Sequence, residues 1–342
     1  MKLTPSTLSK DEWNSFIIEN YPEVGNFMAS YEWGEFQKNL GRNYERFVIS
    51  EKKKVVALVT VVFYEIPLGF SYAYCPRTPA LRKDVLQTQS SVHQVFHLLK
   101  LWIEKTNKKV IFLRTEPPIP PDIRIDKKFK ILKRYVQPRK NLCIDLTRSE
   151  EEILSSFHPT NRANIRKAEK LGVTTKISST ITTEERDAFY KMALDTMERN
   201  GGKNAYPPRD YFETMTASFS SFHSKDNLSI EYLFAYVEEK LVSVVMVLYL
   251  GNTATYIYGA SDSQYLRHKT SAFIHYKAIL RAKELGFEVY DIGGIDEKRW
   301  DSLTYFKKQF GGTEKEYVGN VDIVLKKASY FLYKILRFIR HK

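Results

Sequence analysis

Apolar positions along the chain fall into two patterns: short runs of β-branched and aromatic residues, and longer stretches with helical spacing. Residues 10–20 read as a short helix capped by Ser9, and 31–38 as a second helix with Trp33 and Phe36 turned inward. Residues 47–50 and 55–64 are strand formers joined by the charged turn 51–54, which predicts a hairpin. Pro67-Leu68-Gly69 is a turn, 71–75 a strand closed by Pro76 and Pro79, 86–106 a helix, and 110–114 a buried strand ending at Glu116-Pro117-Pro118. Residues 122–134 are charged and turn-like. A strand at 141–146 precedes a helix that opens at Ser149 with Glu150, Glu151 and Glu152 in its first turn, where carboxylates suit the helix dipole. Helices follow at 183–199 and 209–219, with a break at Gly201-Gly202 between them.

The second half repeats the first. Strands at 229–236, 241–250 and 253–259 precede a helix at 270–285, capped at Gly286, and a strand at 289–292. Residues 55–59 fall against 241–245, the 86–106 helix against the 270–285 helix, and 110–112 against 289–290, at an offset of roughly 180 residues. An offset near half the chain signals duplication. The order of hairpin, helix and further strand suits a mixed α/β acyltransferase domain present twice. The expected division is 1–146, 147–325 and a basic amphipathic C-terminal helix over 326–342.

Composition narrows the partners. A chain of 342 residues exceeds one ordinary core. The net charge of +13 points to an anionic partner such as nucleic acid, a phosphorylated substrate or a membrane surface. Cys75 and Cys143 both sit in strand-like settings, which argues against a disulfide framework or a zinc site and fits a reducing cytoplasm. No apolar run approaches the roughly 20 residues of a spanning helix, and no signal peptide opens the chain. The most basic stretch is Arg162 to Val173, with Arg162, Arg166 and Lys170 on one helical face and Gly172 as its stop. It is either a solvated face or a surface that holds phosphates. His93 and His97, at i and i+4, lack the glutamate and third ligand of a metal site, so no metal is expected.

Several segments together resemble the FemABX aminoacyltransferases, which add amino acids from aminoacyl-tRNA to the peptide of peptidoglycan precursors. They are Tyr31-Glu32-Trp33-Gly34-Glu35-Phe36-Gln37, Ile66-Pro67-Leu68-Gly69 with Tyr72-Ala73-Tyr74-Cys75-Pro76-Arg77, and Gln137-Pro138-Arg139 with Ile144-Asp145-Leu146. The stretch from Arg162 to Val173, Tyr256-Ile257-Tyr258-Gly259-Ala260-Ser261, and Phe306-Lys307-Lys308-Gln309-Phe310-Gly311-Gly312 complete the set. The resemblance implies two tandem GNAT-like domains. It matches the short members, without a coiled-coil arm. It makes Lys307 the catalytic residue, a lysine that stabilises developing negative charge beside the acyl ester, with Phe306 next to it. Lys38 matches a lysine on the nucleotide's phosphates, and Tyr256 and Tyr258 match channel-lining tyrosines. As alternate residues of a strand, these two are expected to share one face. Tyr74 lies in a matching segment, and Tyr211 opens an aromatic pair. Two positions depart from the family. Pro207 stands where an arginine often lies, leaving Arg209 as the substitute, and Glu116-Pro117 replaces an aspartate-proline that anchors the acceptor amine. Arg162, Arg166, Lys167 and Lys170 then become candidates for holding the phosphates of tRNA or of the lipid diphosphate.

The implied partners are aminoacyl-tRNA and either UDP-N-acetylmuramoyl-pentapeptide (UDP-MurNAc-pentapeptide) or lipid II, served by a monomer without cofactor. The expected reaction is aminolysis of an ester carrying Ala, Ser or Gly. No Ser-His-Asp or Cys-His arrangement is legible, and Glu116, Asp291 and Asp296 are candidate bases by position only. Two other readings stay open. One is a coenzyme-A-dependent N-acyltransferase, weakened by the missing glycine in Arg267-His268-Lys269-Thr270-Ser271-Ala272. The other is a non-catalytic basic RNA- or envelope-binding module. The C-terminal segment sets Leu332, Ile335, Leu336 and Ile339 opposite Lys334, Arg337 and His341, and suits either packing on the protein or peripheral contact with the inner face of the membrane.

Overall fold

The structure, a computed structural model, describes the chain apart from residues 22, 107, 133–134, 200–205, 220–223 and 341–342, and apart from the side chains at 106, 199 and 338–340. The expected break at Gly201-Gly202 and the roles given to Ile339 and His341 lie outside the described residues. The chain forms two compact units. The first comprises Met1–Pro22, Met28–Arg139 and Glu316–Lys342, and the second Glu23–Phe27 and Lys140–Lys315. The division therefore falls at 139/140 rather than the expected 146/147. The reason is that 140–145 pairs with strands of the second unit, while 316–342 returns to the first.

The chain begins with β1 (Lys2–Pro5), α1 (Lys10–Asn20), α2 (Tyr31–Asn39), β2 (Asn43–Glu51) and β3 (Lys54–Ile66). It continues through β4 (Phe70–Cys75), β5 (Ala80–Leu81), α3 (Lys83–Leu86), α4 (Gln89–Thr106), β6 (Val110–Thr115) and β7 (Lys130–Ile131). Ser9 closes a capping box on α1, its Oγ accepting from the Glu12 N–H while the Glu12 carboxylate accepts from the Ser9 N–H. The second unit runs through β8 (Lys140–Asp145), α5 (Glu150–Ser156), α6 (Pro159–Lys170), β9 (Thr174–Ser178), α7 (Thr183–Arg199) and α8 (Arg209–Ser218). It ends with β10 (Ser229–Val237), β11 (Lys240–Leu250), β12 (Thr253–Ser261), α9 (Thr270–Glu284), β13 (Val289–Ile295), α10 (Asp301–Lys308) and β14 (Thr313–Glu316). The chain then adds β15 (Val321–Val324) and α11 (Lys327–Arg340) to the first unit.

Each unit holds one sheet. The first has the order β1-β2-β3-β4-β6-β15-β7, with β5 beside β3, and the second β14-β8-β13-β12-β11-β10-β9. The duplication shows in the crossovers: β4–α4–β6 and β12–α9–β13 each join a parallel pair, starting at Ser71↔Val110 and Thr253↔Val289. A crossover of that length needs a helix to cover the sheet, and both helices carry the required stripe. On α4, Val92, Val95, Phe96, Leu99 and Ile103 are fully buried against Phe47, Val59, Val61 and Ala73, each contributing roughly 1.5–3 kcal/mol of burial. On α9, Ile274, Ala278, Ile279 and Ala282 pack against Val245, Val247 and Tyr249.

A buried ion pair ties the returning segment to the first sheet. Arg114 of β6 donates through Nε and Nη2 to both oxygens of Asp322 on β15, at 2.8 and 2.8 Å. Tyr330 of α11 donates to the same carboxylate at 2.7 Å. Its ring and that of Tyr333 both pack on Phe112, so α11 lies on the sheet by its tyrosine face.

Candidate functional site

The second unit gathers its chemistry where β12 and β13 part. The two strands pair in parallel only from Thr253–Thr255 to Val289–Asp291, although β12 runs to Ser261 and β13 to Ile295. α10 places Lys307 into this opening. Its side chain is 5% exposed, Nζ donates to the Gly294 carbonyl at 2.9 Å, and Nζ lies 5.7 Å from the Tyr256 ring centroid. Gly293 has φ +92, a backbone conformation that favours glycine, and a Cβ there would sit 2.8 Å from Nζ. Loss of solvent pushes the ammonium down from 10.5 to about 8, against the opposing pull of the Asp291 carboxylate. Asp291 itself is fully buried. It accepts from Asn141 Nδ2 at 2.9 and 3.0 Å and from the Gly293 N–H at 2.8 Å.

Aromatic rings wall the ammonium. Phe306 and Phe310 flank His275 at 5.5 and 5.6 Å, and His275 meets Tyr256 edge-on at 4.6 Å. Burial, with the Lys307 charge, pushes His275 down to about 3, so it is neutral at physiological pH. The Gly311-Gly312 turn after α10 fixes the helix against neighbouring backbone. A Cβ at Gly312 would meet the Cys143 carbonyl at 2.5 Å, and one at Gly311 the Ser156 carbonyl at 2.7 Å.

Tyr256 and Tyr258 do not share a face. The register of β12 against β11 shifts between Met246↔Tyr258 and Val247↔Tyr256, a bulge at Ile257 that breaks the alternation. Tyr256 turns to the α9 side with His275. Tyr258 turns to the other side, within 5.1 Å of Phe212, 6.0 Å of Tyr206 and 6.4 Å of Tyr211. This second aromatic group thus joins Tyr211 and Phe212 of α8 with Tyr206, whose Oη donates to the Gly259 carbonyl at 2.5 Å.

In the first unit, Tyr74 donates to the Glu116 carboxylate, which also accepts from the Val136 and Gln137 N–H groups at 3.1 and 2.8 Å. Burial pushes the Glu116 carboxyl up, against the opposing charge of Arg77. Lys38 lies elsewhere in this unit. It pairs with Glu35 at 3.1 Å and lines a cavity of about 170 Å³ with Ser6, Leu8, Tyr31, Tyr44 and Arg46. Among the described residues, no three His, Cys, Asp or Glu side chains come together as a metal site.

The FemAB family pattern matches residues 8–131, 127–226 and 221–337. The chain belongs to the FemAB family. As a FemABX member it is an aminoacyltransferase. The Staphylococcus haemolyticus protein named Lipid II:glycine glycyltransferase is 22% identical, over 95% of this chain and 94% of its own length. The FemX crystal structure superposes with a TM-score of 0.78 at 19% identity, covering 97% of this chain and 99% of that one. A tandem GNAT protein from the clavulanic acid biosynthesis pathway gives 0.56 at 9% identity, over 94% and 98%. The fold is therefore a tandem pair of GNAT-like domains. The longest helix among the described residues, α4, has 18 residues, and no coiled-coil arm is present among them.

Within this FemAB member, the basic helix divides. Arg162 donates to the carbonyls of Ser155 and Phe157 at 2.8 and 2.6 Å and so closes the C-terminal end of α5. Arg166, Lys167 and Lys170 are exposed, on the side of α6 away from the buried Asn161, Ile165 and Ala168. Arg209 pairs with Asp187 and, at 3.4 Å, with Glu213. A phosphate there must compete with two carboxylates. Of the candidate bases, Asp291 is held in the Asn141–Gly293 network, and Asp296 accepts from the N–H groups of Lys298 and Arg299 at 2.9 and 3.1 Å. Sequence reasoning missed His275, Asn141 and Gly293. The signal for His275 was a lone histidine on the apolar stripe of α9. Gly293-Gly294 interrupts a strand otherwise rich in β-formers, which marks a close approach.

Proposed function

We propose that this protein transfers an amino acid from aminoacyl-tRNA to the stem-peptide amine of a peptidoglycan precursor, acting as a monomer at the cytoplasmic side. The observation that carries the reading is the desolvated Lys307 ammonium in the opening between β12 and β13, with one N–H spent on the Gly294 carbonyl and the others left for a developing oxyanion. The acceptor amine's lone pair forms a C–N bond to the ester carbonyl carbon while the carbonyl π pair moves onto oxygen. Lys307 stabilises that charge. The C–N bond remains, the C–O bond to the ribose breaks, and the proton lost by the amine ends on the ribose oxygen. Ester aminolysis runs downhill, so positioning and charge stabilisation suffice without a covalent enzyme intermediate.

The relatives named Lipid II:glycine glycyltransferase favour glycine as donor and the lipid-linked precursor as acceptor. Alanine, serine and the soluble UDP-MurNAc-pentapeptide are the competing choices. Arg166, Lys167 and Lys170 would hold tRNA phosphates. Lys38, Tyr74 and Glu116 are the first unit's proposed contributors to acceptor binding. The test supplies tRNA charged in turn with Gly, Ala and Ser to the purified protein, with either precursor, and follows the muropeptide mass. A gain of one or more residues, lost in Lys307→Ala, supports the reading. Acylation from acetyl-coenzyme A alone overturns it.

A further inference from the structure

We propose that the outward stripe of α11 is a docking surface for an anionic lipid bilayer. The helix is held on the first unit by Tyr330 and Tyr333, through the Asp322 bond and the Phe112 ring. A helix anchored by one face normally presents polar residues on the other. Here the opposite side carries Phe331, Leu332, Ile335 and Leu336, at 65, 42, 41 and 44% exposure. Their spacing of i, i+1, i+4 and i+5 makes them one continuous stripe. Leu68 is a further exposed apolar side chain of the first unit, at 73%. It sits in the turn whose neighbours Ile66 and Phe70 belong to the same cluster as Tyr330.

Charge selects the occupant. From Lys326 to Lys342 the chain carries Lys326, Lys327, Lys334, Arg337, Arg340 and Lys342 and no carboxylate. Exposed Lys108 and Lys109 lie beside the start of the helix, where Lys326 Nζ donates to the Lys108 carbonyl. A second copy docked through the same stripe would bring these cations against themselves, which disfavours pairing. Anionic headgroups satisfy them while the acyl boundary takes the apolar stripe. Because Tyr330 and Tyr333 hold one face of the helix along the first unit, the opposite stripe would lie in the plane of the interface.

The test is co-flotation of the full-length protein with vesicles of equal parts phosphatidylglycerol and phosphatidylcholine, set against pure phosphatidylcholine. Binding to the anionic vesicles alone, weakened by salt, is expected. Neutralising Lys327 and Lys334 (Lys327→Gln, Lys334→Gln) should lower the partition coefficient about fivefold each. The exposed-site variant Leu332→Ser/Ile335→Ser should lower it about tenfold or more, with an unfolding curve that overlays the parent. The vesicles contain no precursor lipid, so the result is independent of the acceptor assigned above. Failure of the parent protein to float, flotation unchanged in the serine variant, or a dimer in sedimentation that the serine variant dissolves would each overturn the proposal.

Discussion

Replacing Lys307 by methionine should make the protein more stable and far less active. Methionine keeps the apolar stem between Tyr256 and α10 and removes the charge. In the fold the ammonium sits at about 8 rather than 10.5, so holding it protonated there costs about 3 kcal/mol, with the help from Asp291 already included. Against that stands the bond to the Gly294 carbonyl, worth about 1 kcal/mol. The variant should therefore gain about 2 kcal/mol at pH 7. The sign of the pH dependence follows from the depressed value. Between about 8 and 10.5 the unfolded chain binds the proton and the folded one does not, so the parent gains stability as pH rises. By pH 9.5 the parent should have recovered about 2 kcal/mol relative to the variant, closing the gap. Urea unfolding of both proteins at pH 7, 8 and 9.5 measures this, and taking differences cancels the other titrating groups. Transfer by the variant should fall by about 10²–10³-fold. A variant less stable than the parent at pH 7, or a gap that stays constant to pH 9.5, would refute the desolvated ammonium.

Three further outcomes follow from the geometry. His275, pushed down to about 3 by burial, contributes stability that is lost as pH falls from 6.5 toward that value, because only the unfolded chain takes up the proton; His275→Gln should flatten the acid limb of a pH–stability curve. Gly293→Ala places a Cβ 2.8 Å from Lys307 Nζ at φ +92, so it should cost about 1–3 kcal/mol in thermal unfolding and displace the ammonium, reducing transfer with little change in substrate affinity. Arg166→Ala and Lys170→Ala should each lower the salt dependence of tRNA binding by about one ion without changing the melting temperature, whereas Arg162→Ala should lower the melting temperature because it uncaps α5.

The duplicated hairpin–helix–strand order was legible because strand and helix periods are local properties, and both crossovers carry their stripes within one segment. Lys307 was singled out by the family resemblance of the segment from Phe306 to Gly312, not by any local period. The opening that receives it was not legible, since the parting of β12 from β13 depends on pairing between residues 30 or more apart. The facing of Tyr256 and Tyr258 was misread for a related reason. Alternation holds only in an unbroken strand, and the bulge at Ile257 is set by the register against β11. The short strands β7, β14 and β15 carry too few residues to show a period, and β15 takes its place through an ion pair between Arg114 and Asp322, far apart in sequence.

The return of 316–342 to the first sheet has a consequence for synthesis on the ribosome. β15 is the strand between β6 and β7, and the partner of Arg114 lies on it. While the second unit is being translated, β6 waits with an open edge and an unneutralised guanidinium. The first unit to be started is therefore the last to be finished. The second in turn borrows Glu23–Phe27 from the opening residues, where Asn26 donates to the Leu250 carbonyl at 3.2 Å. Neither half can be excised as a continuous fragment, and a nascent chain stalled short of Val321 would expose a strand edge that chaperones and proteases recognise.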